Sequence, residues 1–307
     1  MEELAIQTDQ LSKTYDGKSY ALKDLTIDVR QGEVFGFLGP NGAGKTTTVK
    51  LLNGLLKPSS GSCSVMGLSS TLRSTDVHSI CGVMTDSSKM YAQMTGMENL
   101  IFFAQTYEIP LPKAKERAEE LLKKMDLWDA RDKKLGAYST GMAQRLSLAR
   151  TLVNHPKILF LDEPTSGLDP ESAKTVNSLI ASLAKEEGVT VFLCTHQLRY
   201  AQDICGRYGI IEKGHLLTSG TLESIAKSAH IFMKAAVRVA ESEKIDGFEL
   251  CEDGFWKTDI LREDDMPRLL KKIVDEGHEV YEAFILKPTL EDIYFHFVQN
   301  ENGEVLP

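Results

Sequence analysis

The sequence predicts an α/β fold with a mainly parallel sheet, followed by a small, separate α+β domain. Two observations support this prediction. Short apolar segments alternate with segments of helical periodicity over residues 1–225, and strands that alternate with helices favour a parallel sheet. Over residues 226–307 the order changes to two strands, a helix, a strand and a helix. We therefore expect two domains, in a chain of 307 residues that is long enough to bury a core in each.

The elements of the first domain follow from apolar patterns and turn residues. Asp16-Gly17 and Gln31-Gly32 separate the opening strands, and a Gly-rich loop and a helix come next. Residues 87–150 shift towards helical patterns and are predicted to form a helical subdomain. The predicted strands are Leu4–Gln10, Ala21–Val29, Glu33–Leu38, Ile80–Met84, Ile158–Leu161 and Thr190–Thr195, and the predicted helices are Val49–Leu56, Pro112–Met125, Met142–Val153 and Ser172–Lys185.

The second domain is predicted to form a small core of its own, because apolar and aromatic residues recur along it. Its last helix is expected to start at Pro288, since proline is favoured in the first turn, where its missing N–H has no partner. The predicted strands are Ile231–Val239, Glu249–Thr258 and His278–Leu286, and a helix is predicted at Met266–Asp275.

The net charge of −9 lies entirely in residues 221–307, which are the second domain and the five residues before it. The chain has 35 Lys and Arg against 44 Asp and Glu, and residues 221–307 hold 10 of the basic and 19 of the acidic side chains. This balance disfavours a strongly basic nucleic-acid-binding protein. The acidic surface either keeps the protein soluble, or forms a dimer contact or regulatory face that avoids the anionic inner leaflet of a membrane.

The sequence also disfavours a protein that spans a membrane, is secreted, or is stabilised by disulfides or a zinc site. The longest apolar runs are far shorter than the ~20 residues that span a bilayer, and the opening Met-Glu-Glu-Leu lacks the character of a secretory signal. The five cysteines are scattered and never form a Cys-x-x-Cys pair, which disfavours a disulfide framework or a zinc site. We expect free thiols in a reducing cytoplasm.

A Gly-rich segment between a predicted strand and a predicted helix fits the phosphate-loop pattern G-x-x-x-x-G-K-[ST]. Glycines let the backbone N–H groups and the helix N-terminus approach an anion closely. Lys45 is predicted to contact the β- and γ-phosphates and to be catalytic, and the Thr46 hydroxyl to bind Mg²⁺. The residues predicted to bind nucleotide here are Gly39, Pro40, Asn41, Gly42, Ala43, Gly44, Lys45, Thr46 and Thr47.

A second half of the site is predicted where the apolar strand Ile158–Leu161 ends in two carboxylates, Asp162 and Glu163. Asp162 is expected to hold Mg²⁺, directly or through water. Glu163 is expected to face the γ-phosphate and polarise the attacking water. An acidic turn alone would be an ordinary feature, but beside a phosphate loop it indicates phosphoryl transfer.

Together with further segments, these residues closely resemble the ATP-binding subunit of an ABC transporter over about residues 3–225. Tyr138–Arg145 resembles the family signature, usually Leu-Ser-Gly-Gly-Gln, just upstream of the carboxylates. Ser166–Asp169 resembles the D-loop, and His196, after a strand, resembles the switch histidine. Tyr15 resembles the aromatic residue that stacks on adenine.

The resemblance implies a P-loop NTPase (RecA-like) ABC cassette with antiparallel β and helical subdomains. It also implies ATP and Mg²⁺ as ligands, and ATP hydrolysis within a head-to-tail dimer. Ser139 and Gly141 would bind the nucleotide of a second copy, and Asp169 is also predicted to bind nucleotide. Glu163 would orient or deprotonate water, and His196 would contact the γ-phosphate and report its loss.

Two departures from the family pattern are visible. In the signature segment, Thr140 and Met142 replace family residues, whereas Ser139 and Gly141 are retained, so binding to the second subunit's nucleotide is expected to persist. Asp86 occupies the position of a glutamine that senses Mg²⁺ and the attacking water. A carboxylate can still ligate Mg²⁺, although it is shorter and adds negative charge near the phosphates.

Structural alternatives remain open for several of these residues. Tyr15 alone would suit a packing role, and His196 alone a structural one. Ser139 is also a favoured helix N-cap, a role compatible with a helix terminus that points at phosphate. Asp86 can equally be an ordinary loop residue.

The resemblance implies an integral membrane permease and a second ATPase subunit, identical or different, as partners, and no nucleic acid. The protein is expected at the cytoplasmic face of the cell membrane, with a cytoplasmic helix of the permease in a groove around Ser87–Glu108. Residues 95–100 and 288–294 are similar to those of exporter-type subunits of the multidrug/ABC-2 group. The transported substrate is not predicted.

Two other functions stay open. A soluble ABC ATPase that acts on nucleic acid or ribosomes is disfavoured, because such proteins resemble two cassettes in one chain or contain a long coiled-coil insertion. A regulatory module that does not hydrolyse ATP is disfavoured, because Lys45, Asp162, Glu163 and His196 are all present. Stimulation of the ATPase by nucleic acid would favour the first of these alternatives.

Overall fold

The computed structural model describes residues 3–85, 90–240 and 244–302. Asp86, predicted to ligate Mg²⁺, and residues 87–89 of the predicted groove segment lie outside the described residues. Both predictions therefore stay predictions.

The chain divides into two compact units, Met1–Gly220 (the N-terminal unit) and Thr221–Pro307 (the C-terminal unit). The predicted boundary after residue 225 falls inside the helix Leu222–Ser228. The Thr221 hydroxyl caps this helix by accepting a hydrogen bond from the backbone N–H of Ser224. Helix and cap belong to the C-terminal unit, so the two units meet slightly before the predicted boundary.

In the part of the chain that the structure describes, the N-terminal unit has eleven strands and seven α-helices. None of the described helices of the chain is both long and apolar enough to cross a membrane. The strands are β1 (Leu4–Thr14), β2 (Tyr20–Leu25), β3 (Asp28–Arg30), β4 (Val34–Leu38), β5 (Ser60–Val65), β6 (Leu68–Ser69), β7 (Cys81–Met84), β8 (Ile158–Asp162), β9 (Thr190–Thr195), β10 (Arg207–Glu212) and β11 (His215–Gly220). The helices are α1 (Lys45–Leu52), α2 (Ser74–Ile80), α3 (Gly96–Thr106), α4 (Leu111–Lys124), α5 (Thr140–Thr151), α6 (Pro170–Glu187) and α7 (Leu198–Ile204).

One sheet organises the N-terminal unit. Its strands follow the order β6-β5-β1-β2-β11-β10-β4-β9-β8-β7, with β3 paired to β1. The pairs from β10 to β7 are parallel, whereas β1 pairs antiparallel with β2, β3 and β5. Strands β4, β8 and β9 are buried along their whole length, as expected for parallel strands that are covered on both faces. The predicted α/β fold is confirmed.

Aromatic side chains fill the core between the central strands. Phe192 of β9 contacts Phe35 and Phe37 of β4, with ring centroids 5.7 and 5.2 Å apart, and Phe160 of β8 at 5.9 Å. All four are fully buried. Such ring pairs contribute about 0.5–1.5 kcal/mol each beyond the burial of their area, so they hold the three strands in register.

Most predicted elements of the N-terminal unit differ from the structure by a few residues at their ends, and two of the differences have a clear local cause. Helix α1 begins at Lys45, directly behind the Gly-rich loop, and not at Val49. The single strand predicted for Ala21–Val29 is divided into β2 and β3. The reason is the buried hydroxyl of Thr8, which forms hydrogen bonds with the backbone between these two strands and so replaces a ladder partner.

The C-terminal unit has a small antiparallel sheet of its own. The strand order is β13-β14-β12-β15, and helix α9 packs on β15. Its buried core contains Ala235, Val237, Ile245, Phe248, Trp256, Ile260, Met266 and Ile273. Its described elements are α8 (Leu222–Ser228), β12 (Met233–Val239), β13 (Glu249–Leu250), β14 (Trp256–Ile260), α9 (Asp265–Asp275), β15 (Val280–Leu286) and α10 (Leu290–Asn302).

Two predictions for this unit were wrong in detail. The strand predicted for Glu249–Thr258 is a hairpin, because Gly254 takes a left-handed φ of 80° and turns the chain between β13 and β14. Helix α10 begins at Leu290 and not at Pro288. Thr289 caps this helix, since its hydroxyl accepts a hydrogen bond from the backbone N–H of Asp292.

All five cysteines are free thiols. Cys63, Cys81, Cys194 and Cys205 are buried in the N-terminal unit, and Cys251 is partly exposed in the C-terminal unit. Burial raises the pKa of the four buried thiols, to about 12 for Cys81. These four side chains therefore stay neutral at physiological pH.

Candidate nucleotide site

The carboxyl ends of three parallel strands bring the predicted site residues together. Strand β4 leads into Gly39, β8 ends at Asp162 and β9 ends at Thr195, and the register places Asp162 beside Cys194. Neighbouring parallel strands end at the same edge of a sheet, which is where ligands bind in open α/β folds. The phosphate loop, the two carboxylates and His196 therefore converge at this edge.

A cavity of about 190 Å³ opens at this edge. The residues that line it are Ala21, Pro40, Asn41, Gly42, Gly44, Lys45, Thr46, Thr47, Asp162 and Glu163. Of the predicted loop residues, Gly39 and Ala43 do not line it. Ala43 is buried behind the loop, where its carbonyl accepts a hydrogen bond from the backbone N–H of Gly214. The loop is thus fastened to the sheet from behind while its other side faces the cavity.

Glycine is needed at both ends of the loop. A Cβ atom at Gly39 would lie 2.2 Å from the carbonyl oxygen of Ile211, so no side chain fits where the loop leaves β4. Gly44 has a φ of 111° and is the N-cap of α1, and a Cβ atom there would lie 2.6 Å from the carbonyl oxygen of Ala21. The N-terminus of α1 consequently opens onto the cavity, in the geometry that suits an anion.

Lys45 is buried, with 6% of its surface exposed, and its ammonium group points along the loop. Its Nζ donates to the carbonyl oxygens of Gly39 at 2.6 Å and Pro40 at 3.1 Å, and lies 3.5 Å from Glu163 Oε1. A buried charge needs partners of this kind. Lys45 also lines the cavity, where its ammonium group can exchange these partners for phosphate oxygens.

Thr46 and Asp162 form an oxygen pair suited to Mg²⁺. The Thr46 hydroxyl donates to Asp162 Oδ2 at 2.7 Å, and both residues line the cavity. Mg²⁺ prefers oxygen ligands and is usually held by one or two protein oxygens together with substrate phosphates. No group of three or more His, Cys, Asp or Glu side chains suited to a metal occurs among the described residues. The donors present therefore fit a Mg²⁺ ion that is shared with a nucleotide.

Glu163 has an unusual backbone conformation for a residue with a side chain. Its φ is 50°, in the left-handed region, which costs roughly 1–2 kcal/mol. Two backbone hydrogen bonds hold this conformation: Glu163 N–H donates to the Cys194 carbonyl at 2.9 Å, and Ser166 N–H donates to the Glu163 carbonyl at 3.1 Å. The carboxylate is thereby turned towards the end of β9, and its residue is only 9% exposed.

His196 contacts the same carboxylate. Its backbone N–H donates to Glu163 Oε1 at 3.0 Å, and its ring Nδ1 lies 2.8 Å from this oxygen. About half of the side chain is exposed. Lys45 and His196 therefore both contact the carboxylate of Glu163, so the structure brings the three predicted catalytic residues together.

Tyr15 lies on an exposed loop near the phosphate loop. The residue is 65% exposed, and its hydroxyl lies 3.5 Å from the Thr47 hydroxyl. Lys13 Nζ lies 5.5 Å from the centre of the ring. An exposed ring beside a phosphate loop offers a face on which a base can stack, whereas a packing tyrosine would be covered.

Ser139, Gly141 and Asp169 do not line this cavity. Ser139 is exposed and caps α5, accepting a hydrogen bond from Met142 N–H at 3.2 Å. Asp169 caps α6, accepting from the backbone N–H of Ser172 at 2.9 Å, and hydrogen bonds from Ser172 lower the pKa of this carboxyl. Both residues thus open helices with their N-termini towards solvent.

The family model described as ABC transporter matches residues 22–166 of this chain. An uncharacterised ABC transporter ATP-binding protein of Bacillus subtilis (strain 168), YdbJ, is 33% identical over 315 aligned positions that cover 100% of both chains. The chain belongs to the ABC transporter ATP-binding proteins. It is also similar to the bacitracin transport ATP-binding protein BcrA of Bacillus licheniformis, with 33% identity over 95% of this chain and 97% of BcrA.

Solved structures agree with this membership. The cassette of this ABC protein is similar to cbiO1 of Clostridium perfringens, part of the transporter complex cbiONQ, with a TM-score of 0.68 and 26% identity over 75% of this chain and 93% of cbiO1. It is also similar to the ATP-binding cassette MJ0796, solved as a dimer with ADP and Pi, with a TM-score of 0.64 and 26% identity over 71% of this chain and 98% of that one. The predicted family and fold are confirmed, and this ABC protein is an ATPase.

Three polar residues that contact the site were not predicted from the sequence. Thr195 donates from its hydroxyl to Glu163 Oε2 at 2.9 Å. Gln197 donates from its backbone N–H to the Thr195 hydroxyl at 3.0 Å, and Gln144 of the signature segment donates to the Pro164 carbonyl at 2.5 Å. The available signal was adjacency, because Thr195 and Gln197 flank His196 in the sequence.

Proposed function

We propose that this ABC ATPase dimerises around two ATP molecules with Mg²⁺ and drives a separate permease of exporter type from the cytoplasmic face of the cell membrane. The observation that most directly supports a dimer is the division of the site. Lys45, Asp162 and Glu163 line one cavity, whereas Ser139 and Gly141 do not. A second copy would supply these two residues, as the dimeric solved relative suggests.

Lys45 and the loop would hold the phosphates. As β- and γ-phosphate oxygens enter, the Lys45 ammonium would exchange the carbonyls of Gly39 and Pro40 for these oxygens. The N–H groups at the start of α1 would face the same anion. Phosphoryl transfer to water requires mainly such positioning and charge neutralisation.

Thr46 and Asp162 would hold Mg²⁺ together with the phosphates, and this ion would neutralise the charge that develops on them. Glu163 would then orient the attacking water and accept its proton. His196 would contact the γ-phosphate through its exposed ring while its backbone N–H holds the carboxylate of Glu163. The side chain of Glu163 would thus link His196 to the site of hydrolysis.

A groove in the N-terminal unit would receive the permease. It has a volume of about 360 Å³ and is lined by Asn53, Leu55, His78, Cys81, Val83, Phe103, Thr106, Tyr107, Arg150 and Thr151. Leu55 and Tyr107 remain 59% and 42% exposed there. Arg150 donates to the Val83 carbonyl and lies over the Phe103 ring, 5.1 Å from its centre. A mixed apolar and cationic groove of this size suits a short amphipathic helix.

The exporter assignment comes from relatives. BcrA is named for bacitracin transport. The daunorubicin/doxorubicin resistance ATP-binding protein DrrA of Streptomyces peucetius is 37% identical over 80% of this chain and 76% of its own length. Proteins that transport an antibiotic or confer resistance to one suggest an export role for this chain as well, with a substrate chosen by the permease.

The test is Glu163→Gln, which keeps the size of the side chain but replaces one acceptor oxygen by an NH2 group and cannot accept a proton. We expect hydrolysis to fall about 100-fold or more, since a general base contributes that much. We also expect the variant to accumulate as a dimer with ATP, because opening requires hydrolysis. Light scattering coupled to gel filtration measures the mass, and phosphate release measures the turnover.

Glu171→Gln is the matched control, because Glu171 is an exposed carboxylate in the first turn of α6. It should hydrolyse ATP like the unaltered chain. A Glu163→Gln protein that stays monomeric with ATP at high concentration, while the unaltered chain hydrolyses ATP without any partner, would refute the proposed dimer.

A further inference from the structure

A hydrogen bond between two side chains joins the turn that follows Glu163 to residues 196–197, which follow β9. The Thr165 hydroxyl donates to the side-chain oxygen of Gln197 at 2.9 Å. Thr165 is 4% exposed, so water competes little for this hydrogen bond. The two turns belong to different strands of the sheet, and Thr165 and Gln197 join them side by side.

Gln197 also forms a hydrogen bond with the Thr195 hydroxyl, which in turn contacts the carboxylate of Glu163. The Gln197 backbone N–H donates to the Thr195 hydroxyl at 3.0 Å, which leaves this hydroxyl's proton for Glu163 Oε2, at 2.9 Å. Thr195 is 2% exposed. The orientation of the Thr195 hydroxyl is therefore determined by Gln197, and the position of the carboxylate depends in turn on that hydroxyl.

The turn is also held from its other side. The Gln144 side chain donates to the Pro164 carbonyl at 2.5 Å, and Gln144 lies on α5. Within the turn, Leu168 N–H donates to the Thr165 carbonyl at 3.3 Å. The turn 166–169 is thus joined by a hydrogen bond to Thr165, which contacts Gln197.

We infer that Thr165 and Gln197 are positioning residues for hydrolysis: their hydrogen bond transmits the position of the turn 166–169 to Thr195 and thereby sets the carboxylate of Glu163. Neither side chain lines the nucleotide cavity. Their effect would therefore fall on kcat and not on the binding of ATP. This inference rests on the role proposed for Glu163.

The experiment is a double-mutant cycle in the full-length chain. Thr165→Val removes the hydroxyl at nearly constant volume, and Gln197→Met removes the acceptor at similar length. Each variant should lower kcat about fivefold, the effect of a typical hydrogen bond, with KM for ATP unchanged. The double variant should be no slower than either single one, because both remove the same contact. Thr165→Ser, which keeps the hydroxyl, should retain normal turnover.

Single-turnover hydrolysis with the chain in excess over labelled ATP measures the rates, and thermal unfolding measures stability. Thr175→Val, on the exposed face of α6, controls for the substitution itself. Multiplicative losses in the double variant, a rise in KM with unchanged kcat, or a slow Thr165→Ser would overturn the inference. Glu163→Gln is measured in parallel, because normal hydrolysis by that variant would instead refute the proposed role of Glu163.

Discussion

Asp16 fixes the loop that contains Tyr15. Its carboxylate accepts hydrogen bonds from the Ser19 hydroxyl at 2.7 Å, from the backbone N–H groups of Lys18 and Ser19 at 2.8 Å, and from the Thr14 hydroxyl at 3.2 Å. These hydrogen bonds hold the pKa of Asp16 well below its usual range, and the bond from the Ser19 side chain has the largest effect. A depressed pKa stabilises the loop above the unfolded-state value of about 3.9, and this stabilisation is lost as the pH falls towards the folded-state value. The loop therefore keeps these bonds at neutral pH.

Asp16→Ala should weaken ATP binding without changing kcat at saturation. The variant leaves Tyr15 on a loop without its central acceptor, so part of the stacking energy of about 1–3 kcal/mol is lost. We expect the Kd for ATP to rise about three- to tenfold, measured by titration with a fluorescent ATP analogue. Asp9→Ala, at an exposed position of β1, should bind like the unaltered chain. An unchanged Kd for Asp16→Ala would show that the loop does not present Tyr15 to the base.

At the residue scale, sequence patterns predicted which side chains meet, but not how they are held. The contact between Thr46 and Asp162 follows from the spacing of the motifs and the parallel sheet. The left-handed φ of Glu163 was not predictable, because nothing in the local sequence requires it and residues other than Gly, Asn and Asp take this conformation uncommonly. The hydrogen bond of Thr195 to Glu163 likewise depends on the register of β8 and β9.

Elements were predictable where their own residues decide them. The apolar segments of β4, β8 and β9 predict buried strands, and the structure confirms them. Strand β5 was missed, because its sequence Ser-Gly-Ser-Cys-Ser-Val has little strand propensity and forms by pairing with β1. The start of α1 was placed too late, because Thr46, Thr47 and Thr48 are poor helix formers and Gly44 opens the helix instead.

The groove that is lined by the segment after α1 and by α2, β7, α3 and α5 provides a test at the scale of elements. Leu55→Asp places a charge on its exposed apolar wall and should prevent a permease helix from binding, while ATP binding stays unchanged. The tagged chain is purified from detergent-solubilised membranes of its own cells, and integral membrane proteins that co-purify are identified by mass spectrometry. We expect a polytopic membrane protein that raises the ATPase rate to co-purify with the unaltered chain but not with Leu55→Asp.

Leu72→Asp is the matched control for this experiment, because Leu72 is 85% exposed and does not line the groove. It should retain the membrane protein. Equal retention by Leu55→Asp and Leu72→Asp would show that the groove is not the docking site. Stimulation of the ATPase by nucleic acid in place of a membrane protein would favour the soluble alternative.

The whole molecule joins a neutral ATPase unit to an acidic one. Residues 1–220 contain 25 basic and 25 acidic side chains, so the net charge of −9 belongs to the C-terminal unit. Each unit has its own core, and every predicted site residue that the structure describes lies in the N-terminal unit. The charge asymmetry was predictable from composition, whereas the point of division required the structure, because the helix Leu222–Ser228, which crosses the predicted boundary after residue 225, was not predicted.

Truncation after Gly220 should leave ATP binding within about twofold of the full-length value, since every predicted site residue that the structure describes belongs to the N-terminal unit. It cuts before the Thr221 cap and so leaves no partial helix. The Kd for ATP and ATP-dependent dimerisation of the Glu163→Gln variant are measured with and without the C-terminal unit. Intact dimerisation would leave solubility as the role of the acidic surface, whereas lost dimerisation with normal ATP binding would indicate a dimer contact.

The distribution of the cysteines makes the two units chemically distinguishable. Under native conditions a maleimide dye should modify Cys251 alone, because the other four thiols are buried and protonated. A dye at Cys251 thus reports from the C-terminal unit of the unaltered sequence, with no engineered label site. The buried thiols become reactive only when the N-terminal unit unfolds around them, so the rate of their alkylation measures the unfolding of the ATPase unit.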